Sequence, residues 1–318
     1  MAILSESLDQ KQLNIKSVTL GDLTWVDIVP PSRAETDYLA QHFNFHSLDL
    51  DDCLSRKQLP KLDVYEDYLF MVFHFPVYNR QTRIATHGQL SVFIGEKFLI
   101  TLHNGELKHL VKLFRDCEID EEARRQNFSQ GSGFLLYTII DRSIDSYFPI
   151  LDKILGLVEE SENAVFDEYI EAAHELAILR RDIVTQRRIM LPMRTILGNL
   201  GARLRRFTNA DMTVYYGDLM DHMNKICETL DECKEIIEVF KDTDYMLSNY
   251  RLNRVTRTLA IISAVVLPFL VVSSLYGMNI VLPGGIDGGS PLTFVWLLIT
   301  MLVIIGAMLY FFRRKRLI

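Results

Sequence analysis

Leu259-Ala-Ile-Ile-Ser-Ala-Val-Val-Leu-Pro-Phe-Leu-Val-Val-Ser-Ser-Leu-Tyr-Gly-Met-Asn279 decides how this chain is built. Its first part, Leu259 to Leu275, carries no charged residue. A second uncharged run, Thr293 to Phe312, follows close behind. A membrane-spanning helix needs ~20 largely apolar residues. The second run has that length, and the first reaches it with Tyr276 and its flanks. The two runs therefore predict a helical hairpin that crosses a membrane twice, with Tyr276-Gly277-Met278-Asn279 at its far end.

The flanks orient the hairpin. Arg251, Arg254 and Arg257 precede the first span, and Arg313, Arg314, Lys315 and Arg316 follow the second. Between Gly277 and Pro291 the only charge is Asp287. Basic loops stay inside, so both termini are expected in the cytoplasm and the link outside. Met1-Ala-Ile-Leu-Ser-Glu-Ser has no basic-then-apolar pattern, so no cleaved signal is expected and the hairpin itself directs insertion.

The remainder is large enough for one or two soluble domains. The whole chain has a net charge of −7, its acidic balance lies in that part, and this argues against a nucleic-acid partner. An acidic body beside a basic membrane neck suits attraction of cations and contact with anionic lipid headgroups. The four cysteines, Cys53, Cys117, Cys227 and Cys233, have no CxxC spacing and read as reduced thiols.

Residues 1–103 read as α+β. Val18-Thr-Leu and Leu23-Thr-Trp-Val-Asp-Ile-Val are strands, ended by Pro30 and Pro31. Ser32 caps a helix over Arg33–His42. Tyr68-Leu-Phe-Met-Val-Phe-His-Phe is an almost continuous apolar strand. Leu90-Ser-Val-Phe-Ile and Lys97-Phe-Leu-Ile-Thr-Leu make a hairpin about Gly95-Glu96. A charged helix is expected over 106–126, stopped by Gly131 and Gly133, and helices dominate from Phe134 onward. The next long one, 171–198, carries Arg180-Arg181 and Arg187-Arg188, read as partners of acidic helices, with Pro192 expected to bend it.

From Met212 there is no proline until Pro268. Leu219, Met223, Ile226, Leu230, Cys233, Ile237 and Phe240 repeat at steps of four and three, a coiled-coil-like seam. A helix over 213–275 would be ~90 Å long. A lone helix of that length needs partners to bury its seam. A second face, Asp242, Met246, Asn249, Asn253, Thr256, Ala260, Ser263, Leu267 and Ser274, mixes polar and apolar side chains. Polar groups inside a span avoid lipid, so this face lines water or packs against neighbouring helices.

Tyr276-Gly277-Met278-Asn279 closing the first of two C-terminal spans, with a basic tail after the second, resembles the CorA family of divalent-cation (magnesium) channels and transporters. The resemblance extends to His46-Ser-Leu-Asp-Leu-Asp-Asp-Cys-Leu, Gln58-Leu-Pro-Lys-Leu-Asp-Val-Tyr-Glu-Asp-Tyr, Phe98-Leu-Ile-Thr-Leu-His and Leu191-Pro-Met-Arg. It implies a homopentameric funnel, in which other copies of the chain would bury the stalk seam: an α+β cytoplasmic domain, a long helical stalk and two C-terminal transmembrane helices. The expected divisions are an α/β domain at 1–130, its helical part at 131–211, the stalk at 212–257, the first span at 258–276, the outer loop at 277–291, the second span at 292–312 and a basic tail at 313–318.

The resemblance also implies residue roles. Gly277, Met278 and Asn279 would form the selectivity filter, and Asn253, Thr256, Leu259, Leu267 and Leu270 the permeation path. Leu259 and Leu267 would be apolar constrictions that gate by dewetting. Mg2+ holds its water tightly, so a ring of neutral carbonyls from Asn279 and the Gly277 backbone suits a hydrated ion. Tyr276 and Met278 would hold the turn by packing, and Gly277 also reads as a helix C-cap. Intracellular Mg2+ would close the pore by bridging adjacent subunits, from Asp52 of the α/β domain, with Asp51 beside it, to Asp218 of the stalk, with Asp221 one turn on. Read without the family, the same acids are solvated groups or caps.

One departure bears on the cargo. The family's Met-Pro-Glu element is here Ile280-Val-Leu-Pro-Gly-Gly-Ile-Asp, so Pro283 remains and Asp287 is the only acid. Zinc transporters of the ZntB branch vary at the same place. Mg2+ is the expected cargo, with Co2+ beside it, and a zinc/proton transporter is the alternative. A third reading makes the hairpin only the anchor of a signalling protein. An enzyme is not expected, because no nucleophile elbow, phosphate loop or zinc motif occurs.

Overall fold

A computed structural model of the protein describes residues 13–55, 58–78, 85–167, 172–208, 211–278 and 291–315. The chain divides into two units, Met1–Lys241 and Asp242–Ile318.

The first unit is organised by a six-stranded sheet. Its strands are β1 (Ile15–Leu20), β2 (Leu23–Ile28), β3 (Lys61–Val64), β4 (Leu69–Tyr78), β5 (Ala85–Ile94) and β6 (Phe98–His103), in the order β1-β2-β6-β5-β4-β3. Only β2 and β6 pair in parallel. Gly21, at φ +59°, makes the tight β1–β2 turn that lays Leu20 opposite Leu23. The middle strands are covered on both faces, which is why they read as continuous apolar runs rather than alternating ones.

On one face, α1 (Arg33–His42) and α2 (Ser47–Leu54) bring Leu39, Leu50 and Cys53 onto Val26, Ile28, Phe70, Val72, Phe93, Ile100 and Leu102. Fully burying one such side chain contributes about 1.5–3 kcal/mol. The predicted helix over 33–42 is found with its cap. The Ser32 hydroxyl accepts from the Ala34 N–H, and the Ser32 N–H donates to Glu35 at 2.8 Å.

The other face carries α3 (Lys108–Ile119), α5 (Ser132–Asp145) and α7 (Ala173–Leu204). There Trp25 meets Phe114 edge-on at 4.9 Å and donates from its indole to Thr101 at 3.0 Å. The single charged helix expected over 106–126 is two helices, α3 and α4 (Glu121–Phe128). Asp120 divides them: its backbone is extended, and its carboxylate accepts the Glu122 N–H. The α5 helix starts at Ser132, two residues before the expected resumption, behind Gly131 at φ +93°. It is followed by α6 (Phe148–Phe166), and α7 carries Pro192 in its interior without a break.

A 64-residue helix, α8 (Thr213–Tyr276), contributes to both units. In the first unit Leu219, Met223, Ile226, Leu230, Cys233 and Ile237 are fully buried. The chain itself buries this seam, contrary to the expectation that other copies would. At Gly201 of α7 an added Cβ would stand 3.1 Å from Tyr216, so α7 and α8 approach closely there. Arg187 pairs with Asp231, and Arg180 with Glu238 at 2.6 Å. These pairs bear out the reading of the α7 arginines as partners of an acidic helix. Exposed pairs of this kind contribute roughly 0–1 kcal/mol, so burial of the seam dominates.

The second unit holds the remainder of α8 and α9 (Pro291–Arg314). Both helices are long and apolar enough to cross a membrane. Within the single chain Leu259, Leu267, Leu270, Trp296, Leu302 and Val303 are each at least 60 % exposed. In water such a surface could not persist, which fits helices whose surroundings are lipid and protein.

Candidate functional site

The outer end of α8 stops at the predicted motif. Gly277 donates its N–H to the Ser273 carbonyl at 2.9 Å, and Met278 donates to Leu275 at 3.3 Å. A Cβ on Gly277 would lie 3.0 Å from the Ser273 oxygen, so a larger residue would disturb this ending. The helix-ending role of Gly277 is thus visible. Tyr276 and Met278 are exposed within the chain rather than packed against it. Asn279, Pro283 and Asp287 lie outside the described residues.

Below this end, Asn253, Thr256, Leu259, Leu267 and Leu270 are all exposed. At 3.6 residues per turn they fall within roughly one third of the helix circumference. Elsewhere on this helix, polar side chains meet their needs locally: Asn249 donates to the Tyr245 carbonyl at 3.0 Å and Thr258 to Arg254 at 3.0 Å.

A metal-type cluster lies in the first unit. Asp141 of α5 and Asp218 and His222 of α8 present ligand atoms within 4.8 Å of one another. The helices are held together just before this point. A Cβ at Gly131 would stand 3.1 Å from the Phe207 carbonyl oxygen and one at Gly133 3.1 Å from the Thr208 side chain, and Tyr137 packs edge-on against Tyr215 at 5.1 Å. Asp218 and His222 are one turn apart, with Oδ1 and Nε2 separated by 4.0 Å. The inner nitrogen of His222 is buried without a protein partner.

The electrostatics are those of crowded negative charge. Burial, then the charges of Asp145 and Asp218, push the Asp141 pKa up, against the opposing pull of His222 and Arg142. Tyr137 is pushed to about 12, mainly by burial and then by Asp141. Carboxylates so placed repel until a cation sits between them. The donor set of two carboxylates and one imidazole can hold a divalent ion. The oxygens suit Mg2+, and the imidazole adds affinity for Co2+ or Zn2+.

Residues 21–314 match the family described as CorA-like Mg2+ transporter protein. The chain belongs to the CorA family. It is 30% identical over 281 residues to YfjQ of Bacillus subtilis, assigned by name to metal ion transport, covering 87% of this chain and 86% of that one. It is 25% identical to the cobalt/magnesium transport protein CorA of Thermotoga maritima, over 80% of this chain and 73% of that one. The zinc transport protein ZntB of Pectobacterium atrosepticum is 23% identical over 71% of this chain and 66% of its own. In fold, the CorA magnesium transporter of Methanocaldococcus jannaschii superposes with a TM-score of 0.76 at 22% identity, over 93% of this chain and 92% of that one. CorA proteins are membrane-bound divalent-metal transporters and channels, not enzymes, and two apolar C-terminal helices fit that membership.

Within this CorA chain the expected regulatory carboxylates are not gathered in one place. Asp218 is in the cluster, but Asp221 is exposed and outside it. Asp51 pairs with Arg33 at 2.5 Å. Asp52 accepts from Lys61 at 2.6 Å and from Gln58. Burial alone would lower the Lys61 pKa, but hydrogen bonds to Asp52 and Asp63 raise it. Sequence reading missed Asp141 and His222. His222 had a local signal, the one-turn spacing from Asp218. Asp141 had none, because it reaches the site from a helix distant in sequence.

Proposed function

We propose that the chain carries Mg2+, and Co2+ beside it, through a homopentameric pore built from copies of α8. Gly277, Met278 and Asn279 of each copy form the outer ring, whose carbonyl oxygens hydrogen-bond a still-hydrated ion. Asn253, Thr256, Leu259, Leu267 and Leu270 line the path inward, with Leu259 and Leu267 as the dewetting constrictions. The membrane is the plasma (inner) membrane, with lipid around the hairpin and both termini cytoplasmic.

The observation that carries this reading is the exposed stripe from Asn253 to Leu270 on a helix ending at Gly277. A stripe mixing amide, hydroxyl and leucine side chains is unsuited to lipid, and copies of itself around an axis give it water and partners. Between Gly277 and Pro291 there is no His or Cys, which favours a hard cation at the mouth.

The same cation closes the pore from inside. Asp141, Asp218 and His222 hold it, Asp221 adds negative field, and Asp52 with Asp51 reaches it from the adjoining copy. Bridging fixes neighbouring copies in the closed arrangement, and loss of the ion leaves mutual repulsion that loosens them. A zinc-carrying reading has two supports: the imidazole of His222 in the cluster and the likeness to ZntB.

Native mass spectrometry of the full chain in detergent tests the assembly. The expected particle holds five copies, and a particle of one copy overturns the pore.

A further inference from the structure

Lys61, at the start of β3, points its ammonium into a group of three carboxylates. Its Nζ lies 2.6 Å from Asp52, 2.5 Å from Asp63 and 3.7 Å from Asp49. It also stands 5.0 Å over the Phe70 ring, a cation–π contact. The place is partly shielded, with Asp49 2 %, Asp52 17 % and Lys61 30 % exposed. Both Asp52 oxygens are engaged: Oδ2 takes the lysine, and Oδ1 accepts from Gln58. Asp49 has a second donor in the Tyr68 hydroxyl at 3.2 Å. Asp63 has no such second donor among the hydrogen bonds described.

We infer that Lys61 is a tethered counter-ion that competes with the regulatory divalent cation for Asp52. This rests on the proposed reading of Asp52 as a ligand of that cation. Three carboxylates facing one ammonium leave the group net negative, so it still attracts a second positive charge. A divalent ion arriving at Asp52 must displace Lys61 from Oδ2. The lysine stem is long and flexible, and Asp63 offers the displaced ammonium a partner at hand. The exchange therefore costs one ion pair while keeping those to Asp63 and Asp49. Lys61 holds Asp52 neutralised when cytoplasmic cation is scarce, and so sets the concentration at which the acid is recruited. Arg180 and Arg187 of α7 do no equivalent work, because each pairs with a single half-exposed acid.

The test is a titration of the full-length protein in detergent with Mn2+ alone, reading free ion by its paramagnetic resonance signal. Lys61→Met keeps the stem and removes the charge. Lys61→Gln also retains a donor for Asp52 and serves if the Met variant misfolds. Either is expected to bind Mn2+ about tenfold more tightly, the effect of removing one nearby positive charge in a partly shielded site. Asp52→Asn should weaken binding in the natural chain and cancel the gain in the Lys61→Met background. If Asp52→Asn weakens binding while both Lys61 variants match the natural chain, competition is wrong and Asp52 remains a ligand. If Asp52→Asn changes nothing in either background, the ligand reading fails and the inference falls with it.

Discussion

Asn279→Ala is expected to cut Mg2+ flux into proteoliposomes by about a hundredfold. The estimate follows from the ring. Each copy loses one amide oxygen that hydrogen-bonds the hydrated ion. Such a bond contributes roughly 0.5–1.5 kcal/mol net, and five at the low end sum to over 2 kcal/mol. At ~1.4 kcal/mol per factor of ten, the barrier at the mouth rises by nearly two decades. The alanine leaves the Gly277 and Met278 hydrogen bonds that end α8 untouched, so assembly should be preserved. Retained flux in an intact assembly would remove Asn279 from the path. The comparison is informative because the only other polar side chains of the outer link are Asp287 and Ser290.

The second large effect is expected at the cluster of Asp141, Asp218 and His222. Asp218→Asn should raise by at least about tenfold the internal Mg2+ concentration that halves flux. The carboxylate lies within 4.8 Å of both other donors, so removing its charge weakens attraction for a divalent ion directly. Two opposite unit charges 4 Å apart interact by ~4 kcal/mol at an effective dielectric constant of 20, and exposure of Asp218 reduces that several-fold. Asparagine keeps the shape and relieves repulsion with Asp141, whose raised pKa reflects burial and crowding by Asp145 and Asp218. The ion-free protein should thus be no less folded. Flux measured against stepped internal Mg2+ reads the shift, and an unchanged half-inhibition concentration would remove Asp218 from sensing.

Much of the fold was legible because local chemistry and long-range packing agree. Ser32, the Gly95-Glu96 turn and the apolar run ending at Phe75 each specify their element without help from elsewhere. The two apolar runs near the C-terminus were legible for the same reason. What failed did so for physical causes. Asp120 divides a helix because an aspartate can cap as readily as it can ride a solvent face. The short β3 is a strand only because β4 offers it an edge.

The seam of α8 shows a different limit. Leu219 to Ile237 repeat correctly for burial, but periodicity identifies a buried face without naming what buries it. Here the same chain does so, with α7 approaching closely at Gly201. The candidate site divides in the same way. Gly277-Met278-Asn279 could be read as a motif because it is contiguous, and the structure shows the helix ending at Gly277. Asp218 with His222 was half legible through one helical turn. Asp141 needed the tertiary fold, and so did the Lys61 pairing that neutralises Asp52.

Uptake of Mg2+, Co2+ and Zn2+ by liposomes containing the purified chain, measured side by side without a proton gradient, tests the central claim most directly. The account predicts rapid Mg2+ entry, with Co2+ entering too and Zn2+ not preferred. Zn2+ entry that requires a proton gradient, or no divalent entry at all, would contradict it.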